Sequence, residues 1–124
     1  MRTLRRRGTN LIETALVMPF IFMVLIGIIE YCRFYYTQAV LYNAAREGAR
    51  YGSIHPTDTS GISGSAKALT IGLPSASINV VTLMPSGTAS GSPITVEVSY
   101  AARILTPQFN KNLTLVRSAT MRIE

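Results

Sequence analysis

Two hydrophobic regimes alternate along the chain. Residues 11–29 form an almost unbroken apolar block in which Glu13 is the one charge, and 14–29 carry none. These nineteen residues, if helical, rise about 28 Å, close to the roughly 30 Å hydrocarbon core of a bilayer. The block predicts a transmembrane helix over 11–29. The helical period then continues beyond the block. Phe34, Leu41, Ala45 and Ala49 lie on one stripe with Tyr31, Tyr35 and Tyr42 beside them, while Arg46, Glu47 and Arg50 lie opposite. That pattern predicts one continuous helix from Leu11 to Tyr51, ended by Gly52. Pro19 removes a backbone donor inside it and predicts a kink. Towards its end the stripe narrows to small residues. Ala45, Gly48, Ala49 and Gly52 are the packing candidates, with either a sheet of the same chain or a neighbouring helix as partner.

After residue 52 the pattern changes to short segments. Residues 54–65 read as a loop from their Pro, Gly, Ser and Asp content. Residues 65–71 read as a short helix, with Ser65 as N-cap and Gly72 at its end. Residues 77–83 read as a strand, and 94–104 alternate as a half-buried strand with Ile94, Val96, Val98 and Tyr100 on one face. Residues 105–112 read as a turn-rich connection. The last segment, 113–124, alternates again, with Leu113, Leu115, Ala119, Met121 and Ile123 on one face. Arg117 interrupts that face, which predicts a bulge near Val116 or a partner charge. The fold class is α+β: one long N-terminal helix packed on a small three-stranded antiparallel sheet, with a short extra helix. A soluble part of about 72 residues has a marginal core alone, so the long helix is expected to supply the missing layer.

Charge changes the picture by its position. The 124-residue chain has a formal net charge of +6 from twelve basic and six acidic residues. Arg2, Arg5, Arg6 and Arg7 all precede the apolar block, and without them the balance is eight against six, or +2. The remaining basic residues form no stripe interleaved with aromatics, which argues against nucleic acid as a partner. Arginines before an apolar span hold that end in the cytoplasm. The expectation is a single-pass protein with its C-terminal domain outside the cytoplasm. The block is too long for a secretory signal, and no small-x-small cleavage site follows it. Cys32 is the single cysteine and reads as a small apolar residue at the membrane edge.

Residues that carry chemistry are sparse. His55 is the single histidine, the six acids form no close pair outside the helix, and no glycine-rich phosphate loop opens a helix. The expectation is that the protein is not an enzyme and uses no metal or cofactor.

One stretch remains to be explained. "RRRG" followed by "TNLIE" places Glu13 at the fifth position after Gly8, counting Thr9 as the first. This looks like a type IV prepilin signal. "ALVMPFIFMVLIGIIEYCRFYY" resembles the membrane segment of TadE-like proteins, the minor pilins or pseudopilins of tight-adherence pilus systems. "NAAREGARYG" resembles the end of their long helix, and "SATMRIE" their last strand. The resemblance implies a leader at 1–8, a helix at 9–52 and a small extracytoplasmic domain at 53–124. It implies cleavage by a prepilin peptidase between Gly8 and Thr9, insertion in the inner membrane, and a part in assembling an adhesive pilus with other pilin-like subunits and the assembly machinery. By position, Glu13 is then the assembly residue, paired with the Thr9 amine of a neighbour; read from its place alone, it equally suits the headgroup level. The chain departs from the family pattern at Thr14, where many relatives have a bulky residue, and at Cys32, where a small one is common. The competing reading is an unprocessed, membrane-anchored domain that binds an extracytoplasmic partner, and the N-terminus of the mature chain separates the two.

Overall fold

The computed structural model describes residues 2–103 and 112–124, with side chains described for 10–102 and 113–124. The elements in chain order are α1 (Arg2–Ile54), α2 (Thr59–Ala68), a 3-10 turn at Ser75–Ser77, β1 (Ile78–Leu83), β2 (Pro93–Arg103) and β3 (Asn112–Arg122). They divide into two compact units, one ending at Arg33 and the other running from Phe34 to Glu124.

The first unit is the amino-terminal part of α1. The helix runs through Pro19 without interruption. The large apolar side chains from Leu11 to Ile29 are all exposed. Within the described residues, α1 is the one helix long and apolar enough to cross a membrane. At its end Glu30 and Arg33 pair at 3.5 Å, one helical turn apart. Such an exposed pair contributes only about 0–1 kcal/mol.

The second unit is an α+β domain with its core between the helices and one face of the sheet. The strand order is β1-β2-β3, antiparallel throughout. Alternation sets the faces. Ile94, Val96 and Val98 on β2 are fully buried, and Ile78 and Leu115 flank them on the neighbouring strands. The outer face is polar along its centre, where Thr95 and Thr120 share a hydrogen bond of 2.8 Å. From α1, Leu41, Ala44, Ala45 and Ala49 close the core at helical spacing, and α2 adds Ile62 and Ala66. Each buried Ile, Leu or Val contributes roughly 1.5–3 kcal/mol, so these few residues account for most of the driving force.

Four details differ from the sequence pattern. First, α2 covers Thr59–Ala68, where 54–65 read as loop and Ser65 as cap. Asp58 is the true N-cap: its Oδ1 accepts the Gly61 N–H at 2.9 Å and the Ser60 hydroxyl at 2.7 Å. Burial of Ile62 and Ala66 outweighs the weak helix propensity of the serines and glycines around them. Helix α2 ends at Ala68, and Gly72 instead takes a positive φ of 86° in the turn beyond. Second, α1 continues to Ile54; Gly52 lies inside it, with no positive φ. Third, β3 carries no bulge. Its register with β2 is regular from Pro93↔Arg122 to Arg103↔Asn112, and Arg117 lies opposite Val98 on an edge strand, exposed. An edge position lets the long stem cover the core while the charge reaches water. Fourth, β1 begins one residue later than read, after the 3-10 turn, and β3 ends at Arg122. Of the connection read at 105–112, residues 105–111 lie outside the described residues.

Candidate assembly site

The residues singled out at the amino-terminal end all lie on α1. Gly8 and Thr9 fall within the helix, and their side chains lie outside the described residues. Glu13 is exposed and makes no hydrogen bond or ion pair among the described residues. Its helix face presents Thr14, Val17, Met18 and Ile21. Thr14 turns its hydroxyl back on the helix, donating to the Asn10 carbonyl at 2.9 Å, and so withdraws its own polarity from that face. Among the described residues, Glu13 is therefore the one charged side chain beside Val17, Met18 and Ile21 on this face. In hydrocarbon such a group requires a cation or a route to the headgroups.

The small-residue stripe lies in the second unit and is closed. Ala45, Gly48, Ala49 and Gly52 are buried. A Cβ on Gly48 would lie 3.1 Å from Val96 Cγ1 and 3.2 Å from Ala66 Cβ. One on Gly52 would lie 2.5 Å from Ile94 Cδ1 and 3.1 Å from Ile62 Cδ1. Gly48 faces Ala66 while Gly52 faces Ile62, so α1 and α2 run antiparallel as a helical hairpin. The absence of side chains on α1 lets α2 and β2 both approach its backbone.

A polar cluster closes the hairpin, and the sequence pattern did not point to it. Tyr51 donates its hydroxyl to Asp58 Oδ2 at 3.0 Å, and the His55 ring stacks on Tyr51 with centroids 4.9 Å apart. The Gly61 N–H, then Ser60 and Tyr51, hold the Asp58 carboxyl below the usual carboxylate range. The same hydrogen bond to Asp58, with some burial, raises the Tyr51 phenol. One signal was available: Asp58 stands four residues before Ile62, which stands four before Ala66, a cap followed by one helical face. A depressed carboxyl contributes stability that is present above its unfolded pKa and is lost as pH falls through the folded one. The second unit is therefore expected to lose stability as pH drops below the ordinary aspartate range. Asp58→Asn, which keeps a capping oxygen, should flatten that dependence; circular-dichroism melts of the full chain in detergent across pH 2–6 would read it.

Among the described residues, no group of three or more His, Cys, Asp or Glu side chains could hold a metal ion. Cys32 is an exposed free thiol.

Residues 8–50 match the family model described as TadE-like protein. The match begins at Gly8, includes Glu13 and the whole apolar block, and ends within "NAAREGARYG", so "SATMRIE" lies outside it. The resemblance to the TadE-like family thus holds over this stretch. No curated protein and no solved structure matches the chain.

Proposed function

We propose, on the premise that a TadE-like chain serves a tight-adherence pilus system, that this protein is a minor pilin, or pseudopilin, that takes part in assembling the adhesive pilus. The observation that carries the reading is the family match, which starts at the glycine of the proposed cut and runs through Glu13. A prepilin peptidase on the cytoplasmic side removes residues 1–8 between Gly8 and Thr9. The helix anchors the chain once in the inner membrane, with its arginines in the cytoplasm and the Phe34–Glu124 unit outside. Other pilin-like subunits and the assembly machinery are its partners. The role is structural and involves no catalysis.

Within this reading, each part of the molecule has a task. The bare apolar face of α1 packs against helices of other subunits in the membrane, where close packing and polar contacts drive association. Glu13 sets the register by meeting the Thr9 amine of a neighbour. The compact outer unit, closed by the small-residue stripe, presents a folded surface to the growing assembly.

Intact mass spectrometry of protein from its native membrane should give a chain that begins at Thr9. A functional chain that retains Met1 would overturn the pilin reading and leave the unprocessed anchored domain. A reporter fused after Glu124 should be exported; cytoplasmic activity of that reporter would refute the topology.

A further inference from the structure

The outer face of the sheet carries a charge pattern that the core does not explain. Thr95 and Thr120 stand directly opposite each other on β2 and β3, and their hydroxyls share a hydrogen bond of 2.8 Å. Residues two apart on a strand share a face. Glu97 therefore lies on the outer face to one side of this threonine row, and Arg122 to the other side. Among the described residues they are the two charged members of that face. Strand spacing and rise part them by about 14 Å, too far to pair within one chain. Beside them on β1, Leu83 is 48% exposed and Val81 39%.

This pattern is complementary to itself. The midpoint between Glu97 and Arg122 falls on the Thr95–Thr120 pair. A two-fold axis lying along the row Leu83–Thr95–Thr120 brings Glu97 of each copy over Arg122 of the other. The sense of crossing follows from the backbone. The Ile123 N–H bonds the Ser92 carbonyl at 2.9 Å, so even-numbered residues of β2 turn their backbone groups to β3 and odd-numbered ones to β1. Seen from the outer face with β2 running upward, the chirality of L-residues then puts β3 on the left. With strands about 4.8 Å apart and a rise of about 3.4 Å per residue, the axis that pairs the charges crosses the strands at about −40°. Twisted sheets that pack face to face prefer about −30°. The same axis passes about 2–3 Å from Leu83, so the two copies of Leu83 meet, and Val81 falls near Pro93 of the second copy.

We infer that this face pairs two copies of the chain, sheet to sheet. The contact is isologous and closes on itself, so it makes pairs and not a filament. It involves the Phe34–Glu124 unit alone and does not rest on the pilin reading. The patch lies at the β1–β2 hairpin end of the sheet, with Glu97 about 20 Å from the Arg103 end of β2. A face of about 15 Å by 20 Å is at the low end of interface sizes, so the charges set the register of a weak pair.

Cross-linking of the full chain in intact cells, with a short membrane-permeant bis-maleimide, tests this. In a Cys32→Ser background, Leu83→Cys should give a covalent dimer. Val116→Cys is similarly exposed on the same face but lies about 12 Å from the axis, and should give several-fold less. Glu97→Arg or Arg122→Glu, each added to Leu83→Cys, sets like charges face to face and should cut the dimer several-fold. Adding both restores opposite charges and should recover the yield. Equal yields from positions 83 and 116, single swaps without effect, or a double swap that stays low would each overturn the inference. An adduct whose mass is not twice that of the chain would assign the face to another protein and overturn it as well.

Discussion

Gly52→Leu should unfold the Phe34–Glu124 unit or leave it barely folded. A Cβ alone at position 52 would lie 2.5 Å from Ile94 Cδ1, and the leucine adds three further heavy atoms in the same direction. Ile94 and Ile62 are both fully buried, so neither has room to swing away. Overpacking of this kind costs typically about 1–3 kcal/mol and occasionally more. Here it separates α1 from α2 and from β2 together, which places the cost at the upper end. The whole unit has few large core side chains, and native stabilities of about 5–15 kcal/mol leave little reserve. Gly52→Ala is a milder probe. It gains about 0.8–1 kcal/mol of helix propensity, which offsets part of the steric cost. Gly64→Ala is the control, because a Cβ there meets nothing within 4 Å. It should raise stability by up to about 1 kcal/mol through propensity and the stiffer unfolded chain. Chemical denaturation of the full chain in detergent, followed by the circular dichroism of the sheet, would rank the three. Equal midpoints for Gly52→Leu and the parent chain would mean that α1 is not closed against the sheet at this position.

Gly52 also marks the limit of what the sequence discloses. Its small size at helical spacing was readable, and so was the narrowing of the stripe through Ala45, Gly48 and Ala49. Whether the glycine stops the helix or thins it depends on what approaches from outside the segment. Ile94 and Ile62 approach, and the helix runs on to Ile54. The same reasoning explains α2. Six of its ten residues are Ser, Thr or Gly, which by composition make a loop. Two buried apolar residues and one aspartate cap turn it into a helix, and that burial exists only once α1 is in place. The apolar block and the alternation on β2 were legible because each is a local property of composition or period. The regular β2–β3 register was not, since Arg117 on an apolar face reads as a break until its edge position is known. For the candidate site, Gly8, Thr9 and Glu13 stand out through resemblance and spacing. One chain cannot display the partner that a lone carboxylate requires.

That partner is the subject of the last expectation. Glu13→Gln should abolish pilus assembly while leaving the amount of membrane-inserted protein near normal. Insertion depends on the apolar block, which the substitution does not interrupt. Residue 13 belongs to the first unit, and the second begins at Phe34. Pairing between subunits is what changes. In the proposed assembly, the Thr9 amine of one helix meets the Glu13 carboxylate of the next in a low-dielectric setting. Removing one partner of a buried pair costs about 3–5 kcal/mol, because the other charge is left uncompensated. Since each 1.4 kcal/mol is a factor of ten, that is on the order of a hundred- to several-thousand-fold in subunit association. Glutamine retains the shape and one acceptor oxygen of the side chain while removing its charge. Glu13→Asp keeps the charge on a shorter stem and should recover part of the function. Pilus counts by electron microscopy, with immunoblots of the membrane fraction, measure the two quantities separately. Normal piliation by Glu13→Gln would exclude charge pairing and return Glu13 to a residue at the headgroup level. Loss of the protein from the membrane would instead show a role in stability or processing, and the N-terminal mass of the residual chain would distinguish those two.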